Sequence, residues 1–354
     1  MAASTSRVVH VNELKRLALF CGLPITGRKD QLVERILKSP SLHDDSSLQS
    51  SSDPVVLSID LGVKNLAFSH LKTTPHKARE TKRTKKSDNT RPSLVLSSFG
   101  NRPPRINLHT WERLSILPEQ SSAGAVDEDQ ESPFGPPALA KAANGFLQRI
   151  LKLDPLPTHI LIEKQRWRTG GAAAVQEWTI RVNSFEAMIY SSLQTLRDLG
   201  AWNGEVTPIR PKCVGPFFLD SIEEQEVAGE ELATAAKTTK SRKEKIENNK
   251  KLKIGLMGKW LGEGEDVVRP ANGEVGEVID VYRSSVANAQ AKKKSRSGTN
   301  RKTPQKLANQ IFLESKMDDL TDSLMQGMAW LRWRENREIL RQHGIERVVD
   351  ILDR

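Results

Sequence analysis

Cysteine is nearly absent from this chain: Cys21 and Cys213 are the only two in 354 residues, and they lie far apart. Two distant thiols furnish neither a disulfide framework nor a zinc ligand set, which points to a reducing compartment such as cytosol, nucleus or mitochondrial matrix. Long apolar runs are also lacking. None approaches the roughly 20 residues that cross a bilayer, so no membrane partner is expected. The first residues lack the apolar core of a secretory signal. Acid is scarce there too: among Ser4, Ser6, Arg7, Lys15 and Arg16, Glu13 is the only carboxylate up to position 16. That composition suits a short mitochondrial presequence, although the same segment runs directly into a helical pattern.

What the chain has in quantity is positive charge. Lysine and arginine number 54 against 44 acids, for a net charge of +10 and a pI near 9.5. Such a balance predicts a polyanionic partner, because contacts to phosphate supply most non-specific nucleic-acid affinity. The competing explanation is a set of basic, solvated insertions. The length allows one large domain with appendages.

Residues 1–42 are read as a small helical module. Leu14, Leu17 and Ala18, then Leu32, Val33, Ile36 and Leu37, recur at helical spacing around the breaker-rich turn Gly22-Leu23-Pro24 and the step Gly27-Arg28-Lys29. The pattern resembles a SAP-type DNA-binding module. Lys15, Arg16, Arg28, Lys29 and Arg35 would face nucleic acid, or else the hairpin merely packs on the main domain. A Ser/Asp-rich linker at 43–53 leads to a domain over 54–345, with basic or acidic insertions near 72–92, 121–137, 220–240 and 284–306. Within it, strands are predicted at 55–59, 66–71, 94–96, 106–111, 159–162 and 205–209. Helices are predicted at 139–153, 177–199 and 316–343. In the second of these, Trp178, Val182, Phe185 and Ile189 share one face, with Arg181 and Asn183 off it. Strands first, then alternation, imply an α/β domain with a mixed sheet.

Carboxylates stand at the ends of these elements. Asp60 closes the run Val55-Val56-Leu57-Ser58-Ile59 and is followed by Leu61-Gly62-Val63-Lys64-Asn65, a glycine turn that lets backbone approach a phosphate. Sugar-kinase and actin-type ATPases begin similarly, but they need a second such strand and loop. The later Asp198-Leu199-Gly200 closes a helix instead. Glu163 ends His159-Ile160-Leu161-Ile162 and leads into Lys164-Gln165-Arg166-Trp167-Arg168. In extended chain the two arginines point one way, suited to phosphate, and the indole the other. Glu163 could instead be a salt-bridge partner for one of them. Asp318 and Asp322, or Asp319 and Asp322, share a helix face. The alternative for Asp318 is a capping box with Ser315 at the helix start. Acids from separate elements in so basic a chain have one economical use, holding divalent metal against a phosphodiester. None of the seven histidines sits in a setting that supports a metal-free, histidine-based nuclease.

Together, Ser58-Ile59-Asp60-Leu61-Gly62-Val63-Lys64-Asn65, the run from Glu163 to Arg168 with Glu177-Trp178-Thr179-Ile180-Arg181-Val182, and Asp318-Asp319-Leu320-Thr321-Asp322-Ser323 with Trp330-Leu331-Arg332-Trp333 resemble the fungal mitochondrial Holliday junction resolvases. These are a RuvC-like branch of the ribonuclease H-like superfamily. The resemblance implies a mixed five-stranded sheet flanked by helices, and a mitochondrial homodimer that cuts opposed strands of four-way junction DNA. It implies Mg²⁺, with Mn²⁺ able to substitute. Asp60, Glu163, Asp318 and Asp322 would be catalytic metal ligands, with Asp319 an alternative register. Lys64, Lys164, Arg166, Arg168, Arg181, Arg28 and Lys29 would contact DNA, and the helices from Glu177 and at the C-terminus would contribute to the dimer. Two other readings share these residues: another ribonuclease H-like nuclease, such as an RNA–DNA hybrid cutter, and a non-catalytic architectural protein of DNA junctions.

Overall fold

The computed structural model describes residues 8–39, 53–63, 65–74, 99–116, 134–165, 175–219, 239–262, 267–294 and 304–352; for 239–247, 290–294 and 304–316 the backbone alone is described. The strand expected at 94–96 and most of the stretches near 72–92, 121–137 and 220–240 lie outside these residues, as does the linker apart from Asp53.

Two neighbouring interior strands of the sheet, β1 (Val55–Asp60) and β4 (His159–Glu163), are apolar almost throughout. Burial on both faces is what such unbroken runs require. Around them the order is β5 (Glu205–Ile209), β4, β1, β2 (Leu66–Thr73), β3 (Ile106–Leu114) and β6 (Val268–Pro270). β2 runs antiparallel to both β1 and β3, whereas β4 runs parallel to β1, β5 to β4 and β6 to β3. The sheet thus has six strands where the family resemblance implied five. The extra one is only three residues long, too short to leave a periodic signal in sequence.

Side chains of a strand alternate between faces, and two apolar clusters record that alternation. Leu57, Ile59, Ile160 and Ile162 pack beneath α3 (Pro136–Ile150) and α4 (Glu177–Asp198). Val56 and Leu161 face the other way. There they meet α5 (Pro211–Leu219), α6 (Thr239–Trp260), α7 (Gly273–Lys294) and the 40-residue α8 (Pro304–His343), followed by α9 (Ile345–Leu352). By the same alternation Ser58 and Asp60, and Leu161 and Glu163, turn toward α8.

α8 begins at Pro304, not near Lys316. Ser315 is therefore inside the helix, and the capping-box alternative for Asp318 falls away. The stretch near 284–306 is likewise helical through Lys294, and 239–260 forms one helix where a largely polar stretch was expected. From Thr321 to Leu331 α8 is buried nearly all round, so the stripe of Met317, Leu320, Leu324, Met328 and Leu331 that helical spacing picks out is an incomplete description. It lies close on the sheet: a Cβ at Gly327 would stand 2.7 Å from Leu71 Cδ2 and 3.1 Å from Ser58 Cβ. Ser69 Oγ donates to the Ser323 carbonyl at 3.1 Å and Trp111 Nε1 to that of Leu320 at 2.9 Å. Such bonds satisfy polar groups that burial would otherwise penalise.

The N-terminal pair, α1 (Val11–Phe20) and α2 (Lys29–Leu37), forms as the leucine spacing predicts. Its buried residues, Leu14, Leu17, Phe20 and Leu32 among them, belong to the same cluster as Met328 and Trp333 of α8. Gly22, at φ +69°, lies flat against the Trp333 ring, where a Cβ would meet Cδ2 at 2.3 Å. Asn336 Nδ2 donates to the carbonyls of Phe20 at 2.6 Å and Gly100 at 2.8 Å, and Arg337 Nε to that of Cys21 at 2.9 Å.

Candidate active site

Strand pairing brings the first two carboxylates together. Ile59 of β1 is opposite Ile162 of β4, so Asp60 and Glu163, one residue further on parallel neighbours, emerge side by side and share a hydrogen bond. The turn after Asp60 is tight: a Cβ at Gly62 would lie 2.7 Å from the Asn65 carbonyl oxygen. α8 supplies the rest. It is keyed to β1 by Gln326, whose Nε2 donates to Ser58 Oγ at 3.1 Å and to the Ile59 carbonyl at 3.2 Å. One turn earlier Asp322 faces the strand ends, with Asp318 and Asp319 a further turn back.

Crowding shows in the protonation of these groups. Asp60 is pushed well above the ordinary carboxylate range by burial first, then by the charge and hydrogen bond of Glu163, with Asp322 and Asp319 adding to it. Asp322 is raised to about 6 by burial, opposed by Lys253 and reinforced by Asp318 and Glu163. Burial also raises Asp319, against the pull of Arg113. Desolvation and like charge both disfavour the ionised form, so the two causes act in the same direction.

Three cations answer these acids. Arg113 Nε of β3 donates to Asp319 Oδ2 at 2.8 Å, and its guanidinium also reaches the Asn65 side chain. Lys250 pairs with Asp318 Oδ2 and Lys253 with Asp322 Oδ1. A cavity of about 220 Å³ opens beside them, lined by Glu163, Asn249, Lys253, Asp322, Gln326 and Pro211, among others. On the other side, Glu186 of α4 accepts from the Gln165 backbone amide and is raised by burial, with Glu163 contributing.

The structure therefore gathers Asp60, Glu163, Asp319 and Asp322, with Asp318 at the edge. Lys164 is exposed next to Glu163. Lys64, Arg166 and Arg168, with Trp167, lie outside the described residues. Arg181 is already engaged, paired with Glu177 and stacked 3.8 Å from the centroid of the Phe134 ring. On α4 two expectations reverse: Trp178 is 42% exposed, and Asn183 is 3% exposed. Trp178 sits in the first turn, ahead of the point where α4 meets the core, and Asn183 bonds back to the Thr179 carbonyl at 2.7 Å. Arg28 and Lys29 are exposed at the start of α2. Arg35 and Arg16 serve the fold, donating to the carbonyls of Pro24 and Thr26 and of Leu352. Sequence reasoning missed Arg113, Gln326, Lys250 and Lys253. The one available signal was Gln326, a polar residue four positions after Asp322 in an apolar run.

A divalent cation fits this donor set by its chemistry. All the groups are hard oxygen donors, their mutual repulsion is what a cation relieves, and Asp318 Oδ1 is buried without a hydrogen-bond partner among the described residues. Among those residues no three acidic, histidine or cysteine side chains already converge as a coordination shell. Asp318 and Asp322 are turned onto lysines and Asp319 onto Arg113.

A sheet of antiparallel β1–β2–β3 extended by parallel β4 and β5, with acids at the ends of β1 and β4 and on a helix laid across them, defines the ribonuclease H-like class of α/β protein. The family model described as "Mitochondrial resolvase Ydc2 / RNA splicing MRS1" matches residues 56–340. The chain belongs to that family. It is 24% identical over 326 residues to the mitochondrial cruciform cutting endonuclease 1 of Schizosaccharomyces pombe, covering 92% of this chain and 93% of the relative. The protein of the same name in Saccharomyces cerevisiae is 21% identical, covering 80% and 69%. Among solved structures, the yeast mitochondrial Holliday junction resolvase Ydc2 aligns over 95% of this chain and 98% of its own, at 19% identity and a TM-score of 0.49.

Proposed function

We propose that this protein is a mitochondrial Holliday junction resolvase, a structure-selective and metal-dependent endonuclease that makes paired nicks in four-way DNA junctions. The observation that carries the reading is the side-by-side placement of Asp60 and Glu163, faced by Asp322, in a member of a resolvase family. In this reading Asp60, Glu163, Asp322 and either Asp318 or Asp319 hold Mg²⁺, with Mn²⁺ able to replace it. The chemistry supplied by a bound divalent cation is activation of water and neutralisation of charge at the phosphate. The chain's own groups do the rest. Gly62 keeps the turn after Asp60 low, so that a phosphate can approach. Arg113 orients Asp319, and Gln326 fixes the pitch of α8 against β1. Lys164, with Lys64, Arg166 and Arg168, would line the path of the DNA backbone, and Arg28 and Lys29 a second contact. Two symmetric cuts in a two-fold substrate call for a homodimer. Its surface belongs on α4, where Trp178 and Ile180 are exposed, because the later half of α8 is consumed by its own core.

The family description also names an RNA splicing protein; the full set of acids in this chain favours the nuclease side. The test uses a labelled four-way junction and a linear duplex of the same arms, with Mg²⁺ or EDTA, beside Asp60→Asn. Paired nicks on the junction alone, lost with EDTA and in the variant while binding persists, are expected. Tight binding without cutting under any metal identifies an architectural protein. Cutting of an RNA–DNA hybrid in preference to the junction identifies a different ribonuclease H-like nuclease.

A further inference from the structure

Two lysines of α6 stand where neither composition nor the acidic motifs would have placed them. Lys250 and Lys253 are three apart, and Asp318 and Asp322 four apart; both spacings put a pair on one helix face. The contacts run in the same order, Lys250 to Asp318 and Lys253 to Asp322, so α6 and α8 pass each other in the same sense and meet twice in register. Five carboxyls, Asp60, Glu163, Asp318, Asp319 and Asp322, are thereby answered by three cations, Arg113, Lys250 and Lys253. Lys253 is the more enclosed of the two lysines, its side chain 18% exposed against 51% for Lys250.

We propose that Lys250 and Lys253 are counter-ions built into the metal site, which hold Asp318 and Asp322 in the metal-free protein and must be displaced before a divalent cation can take those oxygens. The inference rests on the metal-site reading above. An ammonium and a hydrated divalent cation compete for the same carboxylate oxygens, and each lysine already occupies one of them. Displacement is open to both. Lys250 swings into solvent on a flexible four-carbon stem, and Lys253 borders the cavity lined by Asn249 and Pro211. Without them, like charges on two elements would repel before any metal arrived, and the packing of α8 on β1 would suffer. With them, the free protein is stabilised at the expense of cation affinity. Tight metal binding is thereby deferred until another source of charge, the scissile phosphate region, enters the site.

Calorimetric titration of the full chain with Mn²⁺ at pH 8, without DNA, tests this in wild type, Lys253→Met, Lys250→Met, Lys253→Arg and Asp60→Asn. Methionine keeps the length of the apolar stem and removes the charge. Either methionine variant should bind Mn²⁺ about tenfold more tightly, as expected when a neighbouring positive charge and a competing ligand are both removed. Its melting temperature should start lower and rise further on adding Mn²⁺ than that of wild type. Lys253→Arg should titrate like wild type. Lys250 is half exposed, so its variant remains informative should Lys253→Met fail to fold. Mn²⁺ affinity in both methionine variants equal to or weaker than wild type would overturn the proposal. If Asp60→Asn weakens Mn²⁺ binding while the methionine variants do not tighten it, the counter-ion role alone falls. If wild type, both methionine variants and Asp60→Asn all bind alike or not at all, the metal-site reading falls and takes the proposal with it.

Discussion

Asp60 is buried among the carboxyls of Glu163, Asp319 and Asp322, and the crowding has a sign. Its carboxyl, with those of Asp319 and Asp322, holds a proton more tightly in the folded chain than in the unfolded one. Stability linked to such groups is full below the ordinary carboxylate range and is lost as pH rises through the folded values. For Asp322 that loss runs from about pH 4 to about 6, and for Asp60 it likewise runs upward from the ordinary carboxylate range. The metal-free protein should therefore melt at a higher temperature at pH 5 than at pH 7.5. Asp60→Asn should melt higher than wild type at pH 7.5, with a flatter pH dependence. Equal pH slopes for the two proteins in thermal melts with EDTA would show that Asp60 is not strained.

At the level of elements, what could be read from sequence was set by whether an element explains itself locally. β1 and β4 did: each is an unbroken apolar run ended by a carboxylate, and their parallel pairing then placed Asp60 beside Glu163. The start of α8 did not: Leu307, Ala308, Ile311 and Phe312 recur at helical spacing, but they follow directly on the basic stretch near 284–306 and were not joined to the run from Met317. Nor did β6, three residues long, or the pairing of Lys250 and Lys253, which depends on two helices distant in sequence coming together. Burial nearly all round from Thr321 to Leu331 explains why a one-stripe description failed there and why small residues matter in that segment. Gly327→Ala should destabilise the protein by about 1–3 kcal/mol, the usual cost of forcing extra atoms into a filled core. Chemical denaturation would reveal this as a lower midpoint at unchanged slope. An unaltered midpoint would mean that α8 can lift from the sheet freely.

Across the whole molecule, the N-terminal pair shares its core with α8 and is pinned there by Asn336, Arg337 and Trp333. Of its basic residues, Arg16 and Arg35 are taken up in holding carbonyls and Lys15 is half-buried, which leaves the exposed Arg28 and Lys29 as the expected phosphate contacts. Replacing both with alanine should weaken junction binding at all sequences alike and lower the slope of log K against log salt by about 2. A slope equal to that of wild type would assign the pair a purely structural role.

The single helix that bears Asp318 also bears Asn336, eighteen positions later, with no break between them. At 1.5 Å per residue that is about 27 Å, the rise of about eight base pairs of duplex. α8 is in this sense a ruler. Under the proposed function, the distance from the metal site to the N-terminal pair would be laid down when the chain folds, before any junction is met.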